Sequence, residues 1–295
     1  MALVSELIAK FIEYLREKGK SQSTLIAYKK DIEQLQEYLA EKGITTIEAV
    51  TTEQLKSFLQ YVQVEKGFNL KTVSRKINSI RTFFKYLREQ GLVMQDVDPS
   101  LKLTHPKIES RLPRILNKIE YRALRDASRV DVRLYTMVEL LLQTGLRIGE
   151  LQRLSTEDIR ITPLGHRYLH IQTFGSHAVR NVPLNETAYQ SIQDYLRMRP
   201  AVVQGNKSIF ITKSGNTIPI RNMRSAIKRA FSRAGIKNAT VNDIRNTFIA
   251  HHLANGVNVL TVAKIVGHKR ISTTEKYLEV AKTSDTGERD SLKEL

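Results

Sequence analysis

The amino-acid sequence predicts a mainly α-helical protein, with an N-terminal four-helix bundle followed by a mostly helical second domain that carries a small antiparallel sheet. Three observations lead there. Four amphipathic stretches fill the first 91 residues, and each stops at a glycine: Gly19, Gly43, Gly67 and Gly91. An aperiodic stretch punctuated by Asp98-Pro99, His105-Pro106 and Leu112-Pro113 then reads as an extended linker. Beyond it, helical spacing is broken by two pairs of short runs with strand character.

In order along the chain, the second amphipathic stretch places Leu25, Tyr28, Ile32, Leu35 and Leu39 on one face, and the fourth does the same with Val73, Ile77, Ile80, Phe84 and Leu87. The opposite face of the fourth carries Lys71, Arg75, Asn78, Thr82 and Lys85, donors without a single acid. Such a stripe suits nucleic-acid phosphates and base edges, or is simply a solvated face. The expected boundaries are a bundle over 1–97, a linker over 98–113, a second domain over 114–281, and a polar tail over 282–295 that is mobile until a partner orders it.

In the second domain, Tyr168 to Thr173 and Val179 to Leu184 read as strands joined around Gly175-Ser176-His177. Ser208 to Thr212 and Thr217 to Ile220 read as a second hairpin around Ser214-Gly215-Asn216. Between the linker and the first hairpin lies "TGLRIGEL", residues 144–151. Leu134, Val138, Leu141 and Leu142 keep helical spacing up to a stop at Gly145, and a new helix begins with Leu146, Leu151 and Leu154 on one side. Arg147 therefore falls in a first helical turn, where a cation opposes the helix dipole. Either it pairs with Glu150 or reaches solvent, or it holds an anion such as a phosphate together with the helix N-terminus.

Three later stretches carry further candidates. In "TVNDIRNTFIAHHLANG", 240–256, Arg245 lies one turn from Val241 and Ile249, at the border of the apolar face, where a snorkelling stem is the plain alternative. In "VGHKRIST", 266–273, His268 follows a glycine at a turn. "STTEKYLEV", 272–280, opens with the capping-box pair Ser272 and Glu275 and puts Tyr277 near the start of a helix.

Composition narrows the chemistry. The net charge is +17 and uneven: residues 1–105 hold 16 Lys+Arg against 13 Asp+Glu, and residues 106–295 hold 31 against 17. The excess of +14 in the second part suits a polyanionic partner, or else marks a ribosome-associated or simply well-solvated basic protein, and charge does not separate these. Cysteine is absent, which excludes disulfides, zinc-thiolate sites and thiol catalysis. The seven histidines show no ligand spacing, so neither a metal nor a cofactor is expected. No apolar run approaches membrane-spanning length, and the expected location is the cytoplasm.

Taken in order, these motifs resemble those of the tyrosine recombinases, the integrase-like enzymes of site-specific DNA recombination, and look closest to the Xer type. That family has an arginine in a Thr-Gly-Leu-Arg motif, a His-x-x-Arg motif, a Gly-His, and nine residues later a nucleophilic tyrosine. The matches are Arg147, Arg245, His268 and Tyr277, and the resemblance runs to about Val280. It implies cleavage of duplex DNA clamped between the domains, through a 3′-phosphotyrosyl intermediate and without ATP or metal. It also implies a homo-tetramer on two DNA sites, or pairing with a related recombinase. Two guanidiniums and an imidazole suit the negative charge that builds up on a pentacoordinate phosphorus, and Glu150 would orient Arg147.

Two positions depart from the pattern. The motif histidine is replaced by Asn242, an amide that hydrogen-bonds but does not shuttle protons. The family's hairpin lysine, which protonates the leaving 5′ oxygen, has no counterpart between Thr173 and Leu184. His177 is the nearest ionisable substitute, and Arg180 a poorer acid because it hardly deprotonates. Two rivals follow: a degenerate recombinase that binds or bends DNA without efficient cleavage, and a type IB topoisomerase that relaxes one duplex.

Overall fold

The computed structural model describes residues 3–109, 111–173 and 178–291, with side chains up to residue 282 in the last helix. The chain divides into two compact units, Met1–Ser110 and Arg111–Leu295.

The first unit is built from α1 (Val4–Glu17), α2 (Gln22–Glu41), α3 (Thr52–Val64) and α4 (Leu70–Glu89). Ser21, Thr51 and Asn69 cap the starts of α2, α3 and α4 by accepting a backbone N–H two or three residues into each helix. The expected glycines do end these helices. At Gly19, for example, φ is +68°, which lets the Lys20 amide reach back to the Leu15 carbonyl at 3.1 Å. Phe11, Leu35, Phe58, Ile80, Phe83 and Phe84 are sealed in the core, with the Phe11 and Phe83 rings edge to face at 5.1 Å.

Two features of this unit differ from the sequence reading. The start of the expected linker is not extended. Pro99–Lys102 form a short 3-10 helix, the Thr52 hydroxyl donates to the Pro99 carbonyl at 3.1 Å, Arg88 pairs with Asp98, and Leu103 is buried with the core. The proline breaks helical periodicity, but burying Leu103 still holds the segment down. The second difference lies on α4, whose donor stripe is not free of acid in space. Asp31 of α2, only 1% exposed, accepts from Lys76 at 2.9 Å and from Ser79 at 2.7 Å, and also pairs with Arg75. Lys76 is itself 1% exposed and stands over the Phe68 ring. A buried carboxylate needs this many partners.

The second unit contains α5 (Lys118–Ser128), α6 (Val132–Thr144), α7 (Ile148–Arg153), α8 (Glu186–Met198), α9 (Ile220–Arg233), α10 (Val241–Ala254), α11 (Val259–Val266) and α12 (Ser272–Ser291). A three-stranded antiparallel sheet accompanies them: β1 (Ile159–Ile161), β2 (Arg167–Ile171) and β3 (Arg180–Pro183), in that order. The first expected hairpin is β2–β3, with Leu169 opposite Val182 and Ile171 opposite Arg180. Strand β1 was not foreseen, because three residues with both isoleucines partly or largely exposed give no alternation to read. The second expected hairpin shrinks to a single bridge, Ile211 to Thr217. Helix α12 runs past residue 282 into the polar tail, as far as Ser291.

The core of this unit gathers Leu134, Val138, Leu141, Leu146, Leu151, Leu169, Val182, Ile192 and Ile227. A satellite cluster of Phe248, Ile249, Val262, Val266 and Tyr277 ties α10, α11 and α12 together. Within the described residues, no helix is long and apolar enough to cross a membrane, and no group of three or more His, Asp or Glu could hold a metal ion.

Candidate active site

Arg147 is the N-cap residue of α7, one position before the helical turn that the sequence placed it in. Its backbone amide donates to Glu150 Oε2 at 2.8 Å, and its Nη1 to Glu150 Oε1 at 3.0 Å. The expected pairing with Glu150 is therefore made, and it is one contact among several. Nη1 and Nη2 also donate to the carbonyls of Val266 and Gly267, at 3.3 and 2.9 Å. Those carbonyls end α11, where helix geometry leaves them without partners.

Arg245 points into the protein. Snorkelling is ruled out by its 7% exposure and by hydrogen bonds from its two terminal nitrogens to the carbonyls of Gly145 and Val266. Burial, and then the charge of Arg147, lower its pKa to about 9. Gly145 caps α6 with φ +61°, and a Cβ there would stand 2.4 Å from the Phe248 ring. Only glycine lets the end of α6 pass this close to α10.

Glu150 is buried, and it also accepts two hydrogen bonds from Arg180 on β3, at 2.9 and 2.8 Å. Burial pushes its carboxyl up, but the bonds from Arg180 and the Arg147 amide, with both positive charges, outweigh that and hold its pKa at about 2. Arg180 Nε donates to the Ile265 carbonyl at 2.7 Å. The last carbonyls of α11 thus serve three guanidiniums. Sequence reasoning considered Arg180 only as an acid, whereas in the fold it belongs to a clamp of three guanidiniums, Arg147, Arg180 and Arg245, held by Glu150 and the α11 carbonyls. Its signal is faint: a cation on a strand, 30 residues from Glu150.

His268 follows the left-handed Gly267 cap, with Nδ1 2.8 Å from the hydroxyl of the fully buried Thr274. Burial, then Arg245, Arg147 and Arg180, hold its pKa down at about 4, so the ring is neutral at pH 7. Tyr277 lies in α12, 9% exposed, with its ring roughly parallel to that of His268 at 6.4 Å between centroids. Its hydroxyl donates to Asn246 Oδ1 at 2.8 Å. Burial raises the pKa of the phenol; Arg245 opposes this and Asp243 adds to it.

The fold therefore brings Arg147, Arg245, His268 and Tyr277 together from the α6–α7 joint, α10, the α11–α12 turn and α12. Asn242 is exposed in the first turn of α10 and makes no hydrogen bond to this cluster among the described residues. His177 lies outside the described residues. In the other unit, Lys71, Arg75, Asn78 and Lys85 are exposed on α4 and Thr82 is half-buried, with its hydroxyl on the Asn78 carbonyl. Sequence reasoning missed Asn246 and Thr274, whose polar side chains inside helical runs carried no motif signal.

Residues 109–284 match the phage integrase family, and residues 8–91 match the N-terminal SAM-like domain of phage integrases. The chain belongs to the phage integrase family. Among its relatives, the tyrosine recombinase XerD of Oceanobacillus iheyensis is 33% identical over 93% of this chain and 94% of that protein. Among solved structures, a lambda integrase dimer bound to a COC′ core site matches with TM-score 0.74 at 16% identity, over 94% of this chain and 77% of that one. The XerH recombinase bound to a palindromic difH substrate in a post-cleavage complex matches with TM-score 0.72 at 18% identity, over 92% and 80%. At those identities the two structures establish likeness of fold.

Proposed function

We propose that this protein is a site-specific DNA recombinase that cleaves and rejoins strands through a 3′-phosphotyrosyl intermediate. The observation that carries the reading is the convergence of Arg147, Arg245, His268 and Tyr277, with Arg180 and Glu150 bracing the guanidiniums. Tyr277 Oη forms a bond to the scissile phosphorus as the bond to the 5′ oxygen breaks. The phenolic proton is lost, and the 5′ oxygen takes up a proton to leave as a hydroxyl. The bond energy is kept in the phosphotyrosine, and the reverse attack reseals the strand.

Arg147 and Arg245 use their terminal nitrogens on carbonyls and on Glu150, while neither Nε–H is bonded to a described residue. These donors and the neutral His268 ring suit the nonbridging oxygens of the transition state. Protonation of the 5′ oxygen is assigned to His177, with Arg180 excluded from that part because its guanidinium is committed to Glu150 and Ile265. Asn242 would offer its amide to the phosphate. Duplex DNA is the partner, also contacted by Lys71, Arg75, Asn78, Thr82 and Lys85 of α4. The assembly is a homo-tetramer on two sites, or a pairing with a related recombinase. Neither rival is favoured, since the relatives are recombinases by name and the guanidinium cluster is intact.

The test is a DNA duplex nicked beside the cleavage position, which traps the covalent intermediate. The wild type should yield a denaturation-resistant adduct, and Tyr277→Phe should yield none while binding DNA nearly as well. An adduct with Tyr277→Phe would overturn the assignment of the nucleophile.

A further inference from the structure

Asn246 has no place in the chemistry above, yet it holds the nucleophile. Its amide orientation is fixed by its surroundings. Nδ2 donates to the Arg114 carbonyl at 3.0 Å and faces Asp243 Oδ1 at 3.4 Å, two groups that only accept. Oδ1 must then face Tyr277, and because an amide oxygen only accepts, the phenol has to be the donor. The anchor is firm: Leu116 N–H donates to Thr247 beside it at 2.7 Å, and the Arg114 side chain bonds Glu120 and the Lys237 carbonyl.

We propose that Asn246 is a positioning residue that stores Tyr277 in a resting, proton-donating hydrogen bond, which must break before the tyrosine can attack. The inference rests on Tyr277 being the nucleophile. An amide oxygen does not take up the phenolic proton at neutral pH, so while the bond lasts the hydroxyl stays protonated and one of its oxygen's directions is committed. Attack requires the hydroxyl to turn from Oδ1 to a group that can accept the proton. The bond also runs through Asn246 to Arg114, in the segment that enters the second unit. Displacing that segment would loosen the amide and free the nucleophile.

The test replaces the acceptor with an apolar group of similar size, Asn246→Leu, and with a smaller one, Asn246→Ala, which keeps the experiment open if leucine disturbs folding. The first reading is the ionisation of Tyr277 in the free protein, followed by the tyrosinate absorbance that Tyr277→Phe removes. Arg245, Asp243 and His268 face the phenol in all variants, and an Asp243 released from Asn246 acts only to raise its ionisation, so a fall reports the missing acceptor. Loss of a bond that favours the neutral phenol should lower the pH of ionisation in both variants. The second reading is the single-turnover rate of adduct formation on saturating nicked DNA. A ground-state bond worth about 0.5–1.5 kcal/mol corresponds to a rate increase of roughly two- to tenfold when it is removed. Unchanged ionisation, or adduct formation slowed in both variants, would overturn the proposal. If the wild type forms no adduct on any DNA, the recombinase reading fails while the ionisation arm still decides whether Asn246 holds the phenol.

Discussion

Glu150→Gln isolates the electrostatics of the clamp, because it keeps the shape and removes the charge. The carboxylate compensates Arg147 and Arg180 directly and favours the charged form of the buried Arg245. Its pKa falls from the ordinary 4.5 to about 2. At about 1.4 kcal/mol per unit, that corresponds to roughly 3 kcal/mol of folding stability at neutral pH. Removing it leaves the guanidiniums unpaired, a change of the same order as breaking a buried ion pair. For a domain of this size the midpoint of thermal unfolding should drop by roughly 6–12 °C at pH 7. The pH dependence supplies a second check. Because the folded pKa lies below the unfolded one, the stabilisation is complete above about pH 4.5 and is lost as pH falls toward 2. Wild type and variant should therefore converge in acid. Calorimetry on both proteins at pH 7 and near pH 3.5 measures this. Midpoints within about 2 °C of each other at pH 7 would refute the reasoning and make the clamp self-sufficient through the α11 carbonyls.

Other perturbations address single parts. Arg245→Lys keeps a cation but loses the fork that reaches two carbonyls at once, so adduct formation should fall by about 10²-fold or more with a smaller loss of DNA affinity; equal losses would mark a general phosphate contact. Lys71→Ala and Lys85→Ala should each make the salt dependence of DNA binding shallower, by roughly one counterion, and unchanged slopes would leave this face of α4 in solvent. For His268, the folded pKa of about 4 lies below the unfolded 6.5, so the neutral ring's stabilisation is complete above pH 6.5 and is lost as pH falls from there toward 4. His268→Gln should flatten the fall in stability between pH 7 and 5 in chemical denaturation, and an undiminished slope would place the ring in an ordinary solvated environment.

Much of the fold was legible because helices announce themselves locally. A buried face repeats every three or four residues, and a glycine marks the end, so α1 to α4 could be read without knowing what packs on what. Elements whose reason lies elsewhere in the chain could not be read that way. Strand β1 exists because β2 offers it a partner, and Pro99–Lys102 fold down because α3 and α4 leave room for Leu103. The site divides along the same line. Arg147, Arg245, His268 and Tyr277 were found through their order along the chain, which resembles a family. Periodicity placed Arg245 only at the edge of an apolar face and left open whether its head turned outward or inward. Arg180 and Asn246 act on partners 30 and 31 residues away, and nothing local distinguishes them from other surface cations and helical amides.

The glycines of the site motifs connect these two levels. A helix leaves its last carbonyls without intrahelical donors and carries partial negative charge at that end. Gly145 ends α6 and Gly267 ends α11, both with left-handed backbone that turns the chain away sharply. The freed carbonyls of Gly145, Ile265, Val266 and Gly267 are then bonded by Arg245, Arg180 and Arg147. Two helix ends that would otherwise need water thus become a cradle that holds three guanidiniums close together. Their mutual repulsion is offset by these dipoles and by Glu150, so the cluster can stay assembled. This accounts for a cation standing just after a helix stop in Thr-Gly-Leu-Arg: the arginine is set beside one glycine-capped helix end in sequence and reaches another in space.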